Sequence, residues 1–311
     1  MKRMITRCPW RVCVPTVKYM LGFLFIHILF TACSSESEQC GEESGEPLIF
    51  STASLFEVKT RAALSSGTIG VFRLTSTGYT NTRSNIPYTY SGSWAPVSAS
   101  DQIYLTSQTA NIGAYYPYNA SYGTATAIPL TSGLPGTSDA NALWYALTTG
   151  DIASLPLTLS LVQAYTKISF SITHGATYSG TCAITEISLT NSNLITSGTL
   201  DITDTDGYPY TATATGTVSI NPSISSIASG STNTDASALT VPVLSLSGVV
   251  TITLSMDGDT YTATLASGTF TVLAAGKNNI INLTITGTAL TVGTVSVTDW
   301  GEGAGATVNP A

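Results

Sequence analysis

Residues 249–265 read VVTITLSMDGDTYTATL, and their alternation constrains the fold more than any other feature of the chain. Val250, Ile252, Leu254 and Met256 share one side of an extended backbone, Asp257-Gly258 supplies a turn dipeptide, and Tyr261, Ala263 and Leu265 resume the alternation on the return. Successive side chains of a strand point to opposite faces, so this segment is a half-buried β-hairpin. The same period recurs at Leu155, Leu157, Leu159 and Leu161, at Ile168, Phe170 and Ile172, and in GTFTVL, NIINLTI and LTVGTVSV nearer the C-terminus. Repeated at short spacing with one polar face, it predicts an all-β chain of antiparallel sheets packed as sandwiches. The 250 residues from Ala62 to Ala311 suffice for two tandem sandwich domains, placed at 62–158 and 159–311 on either side of the TTGDIASLPL loop. The Ser/Thr/Asn-rich stretch from Ile220 to Ser237 reads as a long loop.

Composition agrees with strands. After Arg61 only Arg73, Arg83, Lys167 and Lys277 are basic, so no charged amphipathic helix is visible, and Thr, Ser, Gly, Ala and β-branched apolar residues dominate.

The N-terminus carries processing signals. Residues 1–18 hold five basic residues and no acid, and an apolar run of 14 residues, Tyr19 to Ala32, follows. A helix needs about 20 residues to span a bilayer, so the run fits the core of a signal peptide, residues 1–32. It ends in LFTACSSESEQC, which resembles a lipobox with Phe30 where Leu is usual. The resemblance implies that the Cys33 thiol is acylated, palmitate being a typical chain, and becomes the first residue after cleavage. Acyl chains contribute about 0.8 kcal/mol per buried methylene, enough in combination to hold a protein on outer-membrane lipid without a transmembrane helix. Residues 33–61 then form an acidic tether and prosegment. Losing the signal removes five basic residues and no acid, which takes the net charge from −7 to −12. So acidic a chain repels phosphate backbones, and nucleic acid is excluded as a partner.

Catalytic chemistry finds little to work with. His174, in THGAT, is the one histidine after the signal and is expected in an exposed turn, so neither a Ser-His-Asp triad nor a histidine-rich metal site can be assembled. Asp201, Asp204 and Asp206 precede Gly207 in the manner of a turn, with calcium binding the sharper alternative. Asp257 and Asp259 are explained by their hairpin. No enzyme activity, cofactor or metal is expected. Cys40 and Cys182 are left after the signal and Cys33 are set aside; they either pair in an oxidising compartment or leave Cys182 buried and free. Trp94, Trp144 and Trp300 are expected as core anchors. Tyr116 and Tyr118 in IGAYYPYNASYG would share one face of a continuous strand, opposite Tyr115. They support an alternative reading of the chain as a lipid-anchored, glycan-binding β-sandwich module.

Taken in order, the lipobox, TRAALSSGTIGVF, ANIGAYYPYN, LVQAYTKISFSI, VLAAGKNNIINLTITG and VSVTDW resemble the fimbrillin-like family, the type V pilin subunits of anaerobic Gram-negative bacteria. The resemblance implies two transthyretin-like sandwich domains, export as a surface lipoprotein and trimming by an Arg-specific protease. Carried onto this chain, cleavage falls between Arg61 and Ala62. The apolar residues before it, Leu48, Ile49, Phe50, Leu55, Phe56 and Val58, become a displaced strand. The groove left behind takes an extended segment of another pilin subunit by β-strand addition. The tail GEGAGATVNPA is too poor in apolar alternation to serve as donor, and ALTVGTVSVTDW is the better candidate. The expected role is a stalk, tip or accessory subunit of surface fimbriae, adhesive toward a host or glycan ligand.

Overall fold

The structure is a computed structural model and describes residues 45–56, 61–79, 81–136, 141–265, 267–268 and 270–300. Apart from two short 3₁₀ turns at Ala99–Asp101 and Ile152–Ser154, the regular structure among them is β.

The first sheet runs in the order Leu157–Gln163, Trp144–Gly150, Ala110–Tyr116, Thr68–Arg73, Arg83–Tyr90, Trp94–Pro96, Phe50–Phe56 and Arg61–Leu64. Phe50–Phe56 also pairs in parallel with Leu157–Gln163, so the sheet returns on itself. Arg61–Leu64 lies outside the resulting ring of strands. Inward positions carry the core: Ile69, Val71, Tyr88, Trp94, Ile112, Leu159 and Leu161 are each at most 1% exposed.

Beside the small two-stranded sheet of Glu46–Pro47 and Tyr104–Leu105, two larger sheets build the rest. One holds Leu134–Pro135, Ser237–Thr240, Thr166–His174, Lys277–Thr286 and Ala289–Asp299, and the other Tyr210–Ile220, Ile184–Leu200, Val250–Met256 and Asp259–Leu265. Strict alternation of buried and half-buried residues along Thr166–His174 and Val250–Met256 marks one-sided burial, as the sequence period requires. The all-β expectation therefore holds, with two parallel pairings inside mostly antiparallel sheets. The Asp257-Gly258 turn closes the hairpin in which Met256 faces Asp259, with φ of +49° and +89° at the two loop residues. Both signs are those of the two-residue turn whose twist matches antiparallel strands.

Trp94, Trp144 and Trp300 are core residues, at most 6% exposed. The described residues of GTFTVL, by contrast, form no strand. Phe270 and Leu273 are both buried, a spacing of three that alternation cannot give, and Leu273 makes only an isolated bridge to Val243.

His174 also departs from expectation. It ends its strand 4% exposed rather than in an open turn. Nδ1 lies 2.6 Å from the Ile227 carbonyl and Nε2 lies 3.0 Å from the Tyr178 carbonyl. Two acceptors on two ring nitrogens call for two N–H donors, which only the imidazolium supplies. The Ile227 and Tyr178 carbonyls raise the pKa above 6.5 against the opposing effect of burial, with Asp257 adding a smaller push upward. A group held above its unfolded value contributes fully below that value and loses its contribution as pH rises through the folded one. The urea midpoint should therefore fall as pH is raised from about 6 to about 9, and His174→Gln should flatten that slope.

Gly70 faces the Tyr115 ring so closely that a Cβ there would fall among the ring atoms. That ring cannot retreat easily, because its hydroxyl donates to Asn85 Oδ1 at 2.7 Å and accepts from the Asn119 N–H at 3.0 Å. Gly70→Val should cost about 1–3 kcal/mol, read as a lower urea midpoint at unchanged slope.

Candidate functional site: an N-terminal strand held in a groove

Leu48, Phe50, Ala53 and Leu55 are all buried, at most 2% exposed, and they carry the N-terminal segment into the first core. Their spacing of two, three and two comes from a bulge: Leu157 faces Phe50 while Thr158 faces Thr52, which leaves Ser51 as the extra residue. Sequence reasoning named Leu48, Phe50 and Leu55 but missed Ala53, because the bulge breaks the alternation at that point. Ile49 is half-buried.

Backbone groups fasten the segment along its length. Glu46–Pro47 pairs with Tyr104–Leu105, the Leu48 N–H donates to the Ile103 carbonyl at 2.8 Å, and the Leu157 N–H donates to the Ile49 carbonyl at 3.0 Å. Ser51 and Ser54 hydroxyls donate to the carbonyls of Leu157 and Leu159 at 3.2 and 3.3 Å. The opposite edge is divided, with Phe50 facing Trp94 and Ala53 to Phe56 facing Leu64 to Arg61. Inside, the Phe50 ring meets Tyr88 edge-on, 5.8 Å between centroids. Burial pushes the Tyr88 phenol well above its ordinary pKa, so it stays neutral while its hydroxyl donates to the Leu48 carbonyl at 3.4 Å.

Remove residues 46–56 and the closed sheet opens between Leu157–Gln163 and Trp94–Pro96. At about 1.5–3 kcal/mol for each large apolar side chain, Leu48, Phe50 and Leu55 together hold the segment by roughly 5–9 kcal/mol, before the ladder is counted. Such an opening exposes a row of unpaired backbone groups beside apolar pockets, the chemistry that binds an extended strand.

The remaining sequence-named residues fall as follows. Cys33, Cys40, Val58 and the tail after Trp300 lie outside the described residues. Arg61 opens the strand Arg61–Leu64, and Ala62 follows it there. Tyr116 ends its strand against Gly67, whereas Tyr118 stacks on Tyr115 at 6.5 Å, so the alternation does not carry from one to the other. Asp201 accepts from the N–H and hydroxyl of Thr203, and Asp204 accepts from the Asp206 N–H, which makes the acidic run a pair of Asx turns. Cys182 is a buried free thiol, raised to about 11 by burial and the nearby Asp257 charge. Ala289–Asp299, the better donor candidate, is paired with Lys277–Thr286 over most of its length and is tied there by the Lys277–Asp299 ion pair.

A profile of fimbrillin-like proteins matches residues 60–300. The chain belongs to the fimbrillin-like family. The match begins one residue before Arg61, so the buried strand Phe50–Phe56 lies outside it. Among solved structures, the chain is similar to a candidate cell adhesion protein of Bacteroides ovatus, with 21% identity, a TM-score of 0.62, and coverage of 83% of this chain and 99% of that one. A second candidate cell adhesion protein, from Bacteroides uniformis, is 18% identical with a TM-score of 0.57, over 82% of this chain and 99% of the other. At these identities the likeness is one of fold. No curated protein matches the chain. Membership of a fimbrillin-like family supports a role as a surface-exposed pilus subunit.

Proposed function

We propose that the chain is a non-enzymatic subunit of surface fimbriae, made as a lipoprotein precursor anchored through acylated Cys33 and assembled by strand exchange after cleavage between Arg61 and Ala62. The observation that carries this reading is the placement of residues 46–56. A segment upstream of the family match closes the first sheet, buries Leu48, Phe50 and Leu55, and is followed within a few residues by Arg61. A strand that belonged permanently to the core would sit within the family's own span. One that serves as a temporary plug would sit before a residue that a protease can recognise, and Arg61 follows this one.

Cleavage changes the competition for the groove. While the resident strand is tethered, it competes at the millimolar effective concentration of a short linker, and an incoming strand cannot displace it. Once cut and released, the groove accepts an extended segment of another pilin subunit by main-chain pairing, with apolar side chains entering the sites of Leu48, Phe50, Ala53 and Leu55.

Treating cells that display the precursor with an Arg-specific protease should yield a product that begins at Ala62, together with oligomers that resist SDS. A product that keeps its full lipoprotein length, or that begins at Ala62 and stays monomeric, would overturn the proposal.

A further inference from the structure

A cavity of about 810 Å³ opens on the outer face of the first sheet, and no residue of the 46–56 segment lines it. Its size falls within the ~300–1,000 Å³ of small-molecule sites. Strand register builds the floor. Phe72 pairs with Gly113 and Gly113 with Leu147, so the three stand in one row across three strands, on the face opposite the core residues Val71 and Ile112. Gly113 has no side chain, and Ile202 packs into the space, its Cγ2 3.2 Å from where a Cβ would stand. Asn111 and Thr149 pair in the next row of the same face.

Two loops make the walls. Ala125 is buried between the exposed Thr124 and Thr126, and its carbonyl accepts the Ile202 N–H at 2.8 Å, which ties this loop to the second. The second loop is the acidic run after Leu200. Asp201 and Asp204 direct their carboxylates into their own Asx turns, and the residues that line the cavity there are Thr203 and Thr205. The aspartates that look like a cation site in the sequence therefore shape a wall instead.

The lining chemistry selects the ligand. Threonines predominate, and no Asp, Glu or Lys is among the residues that line the cavity. Among the described residues, the side chains of Asn111, Thr149 and Thr205 hydrogen-bond to no other protein group. Hydroxyls and an amide both donate and accept, as the hydroxyls of a sugar do. Leu147, 36% exposed, offers an apolar patch for the C–H face of a sugar ring. Other ligand classes fit worse. A cation finds no carboxylate. An anion meets arginines already engaged, Arg73 with the carbonyls of Tyr104 and Asn81 and Arg83 with that of Ser100, on a chain of net charge −7. An extended peptide finds no open ladder on the floor strands Thr68–Arg73 and Ala110–Tyr116, which pair on both sides.

We propose that this cavity binds a short, neutral oligosaccharide, held by hydrogen bonds to Asn111, Thr149 and Thr205 and by contact with Leu147. Neither Tyr116 nor Tyr118 lines it. Binding here needs no cleavage, so its success or failure is separate from that of the strand-exchange reading.

The test applies the uncut full chain to an array of neutral hexose, N-acetylhexosamine and fucose oligosaccharides with their sialylated and sulfated counterparts, and titrates the best neutral member by calorimetry. Neutral saccharides should bind. Asn111→Leu, Thr149→Val and Thr205→Val should each weaken that binding about three- to tenfold, because each leaves a sugar hydroxyl without its partner. Thr205 is exposed on a loop, so its variant keeps the test open should a floor substitution disturb folding. Thr149→Ser keeps the hydroxyl and should bind as the unaltered chain does, and Tyr118→Ala should leave the affinity unchanged. No neutral saccharide bound, binding confined to the anionic members, or an affinity that follows Tyr118 and ignores Asn111, Thr149 and Thr205 would overturn the assignment.

Discussion

Phe50→Ala should destabilise the uncut chain by about 3–5 kcal/mol and leave the cleaved, assembled subunit unaffected. The first half follows from packing. Phe50 is fully buried, lies edge-on to Tyr88 and faces Trp94 across the ladder, so truncating its ring opens a cavity that these large neighbours cannot refill. The second half follows from where residue 50 stands, eleven positions before Arg61 on the segment that the proposed cleavage would release. Ordinary core positions behave differently. Phe170 is just as buried but lies in Thr166–His174, downstream of the cut, so Phe170→Ala should weaken both forms by a similar amount. Urea midpoints of precursor and product for the two variants provide the comparison. If Phe50→Ala weakens the assembled form as much as the precursor, the N-terminal strand is a permanent part of the core and strand exchange does not occur there.

Much of the fold was legible because one-sided burial writes itself into sequence as period two. Val250–Leu265, Ile168–Ile172 and Leu157–Leu161 were readable for that reason, and the Asp257-Gly258 turn fixed its hairpin locally. What escaped was non-local. The parallel pairing of Phe50–Phe56 with Leu157–Gln163 joins segments more than a hundred residues apart and leaves no mark in either one's composition. Ile128–Thr131 and Leu134–Pro135, early in the chain, pair with Ile184–Leu200 and Ser237–Thr240, which no local pattern announces. His174 reads as a turn residue because Gly175 follows it, yet the Ile227 and Tyr178 carbonyls, supplied by a distant loop and by the next turn, hold it inside. The candidate site was half legible on the same grounds. The apolar residues before Arg61 stood out against an acidic leader, while Ala53 and the bulge at Ser51 are visible only once the partner strand is known.

The largest effect on assembly belongs to Arg61. Arg61→Gln should leave the chain at precursor length and reduce SDS-resistant oligomers at least a hundredfold, while folding stability changes by no more than about 0.5 kcal/mol. The site suits a protease. Arg61–Leu64 is a four-residue strand whose only pairing among the described residues is to Phe50–Phe56. A short edge strand held on one side opens locally at far less than the global unfolding cost, and it then presents an extended backbone of the form that proteases bind. Ala62 and Ala63 follow the arginine, so no bulky side chain obstructs the bond. Lys59 tests the specificity, because it lies two residues upstream and carries the same charge. Lys59→Gln should be cut and assembled as the unaltered chain is, whereas a protease indifferent to arginine would be slowed by either change. Mass measurement of the surface product and the SDS-resistant fraction read both variants together. An Arg61→Gln chain that still forms oligomers at the normal level would separate assembly from cleavage and leave residues 46–56 as a structural strand alone. A chain that stays uncut, folded and monomeric, by contrast, ties the buried N-terminal strand to the block on assembly that its removal relieves.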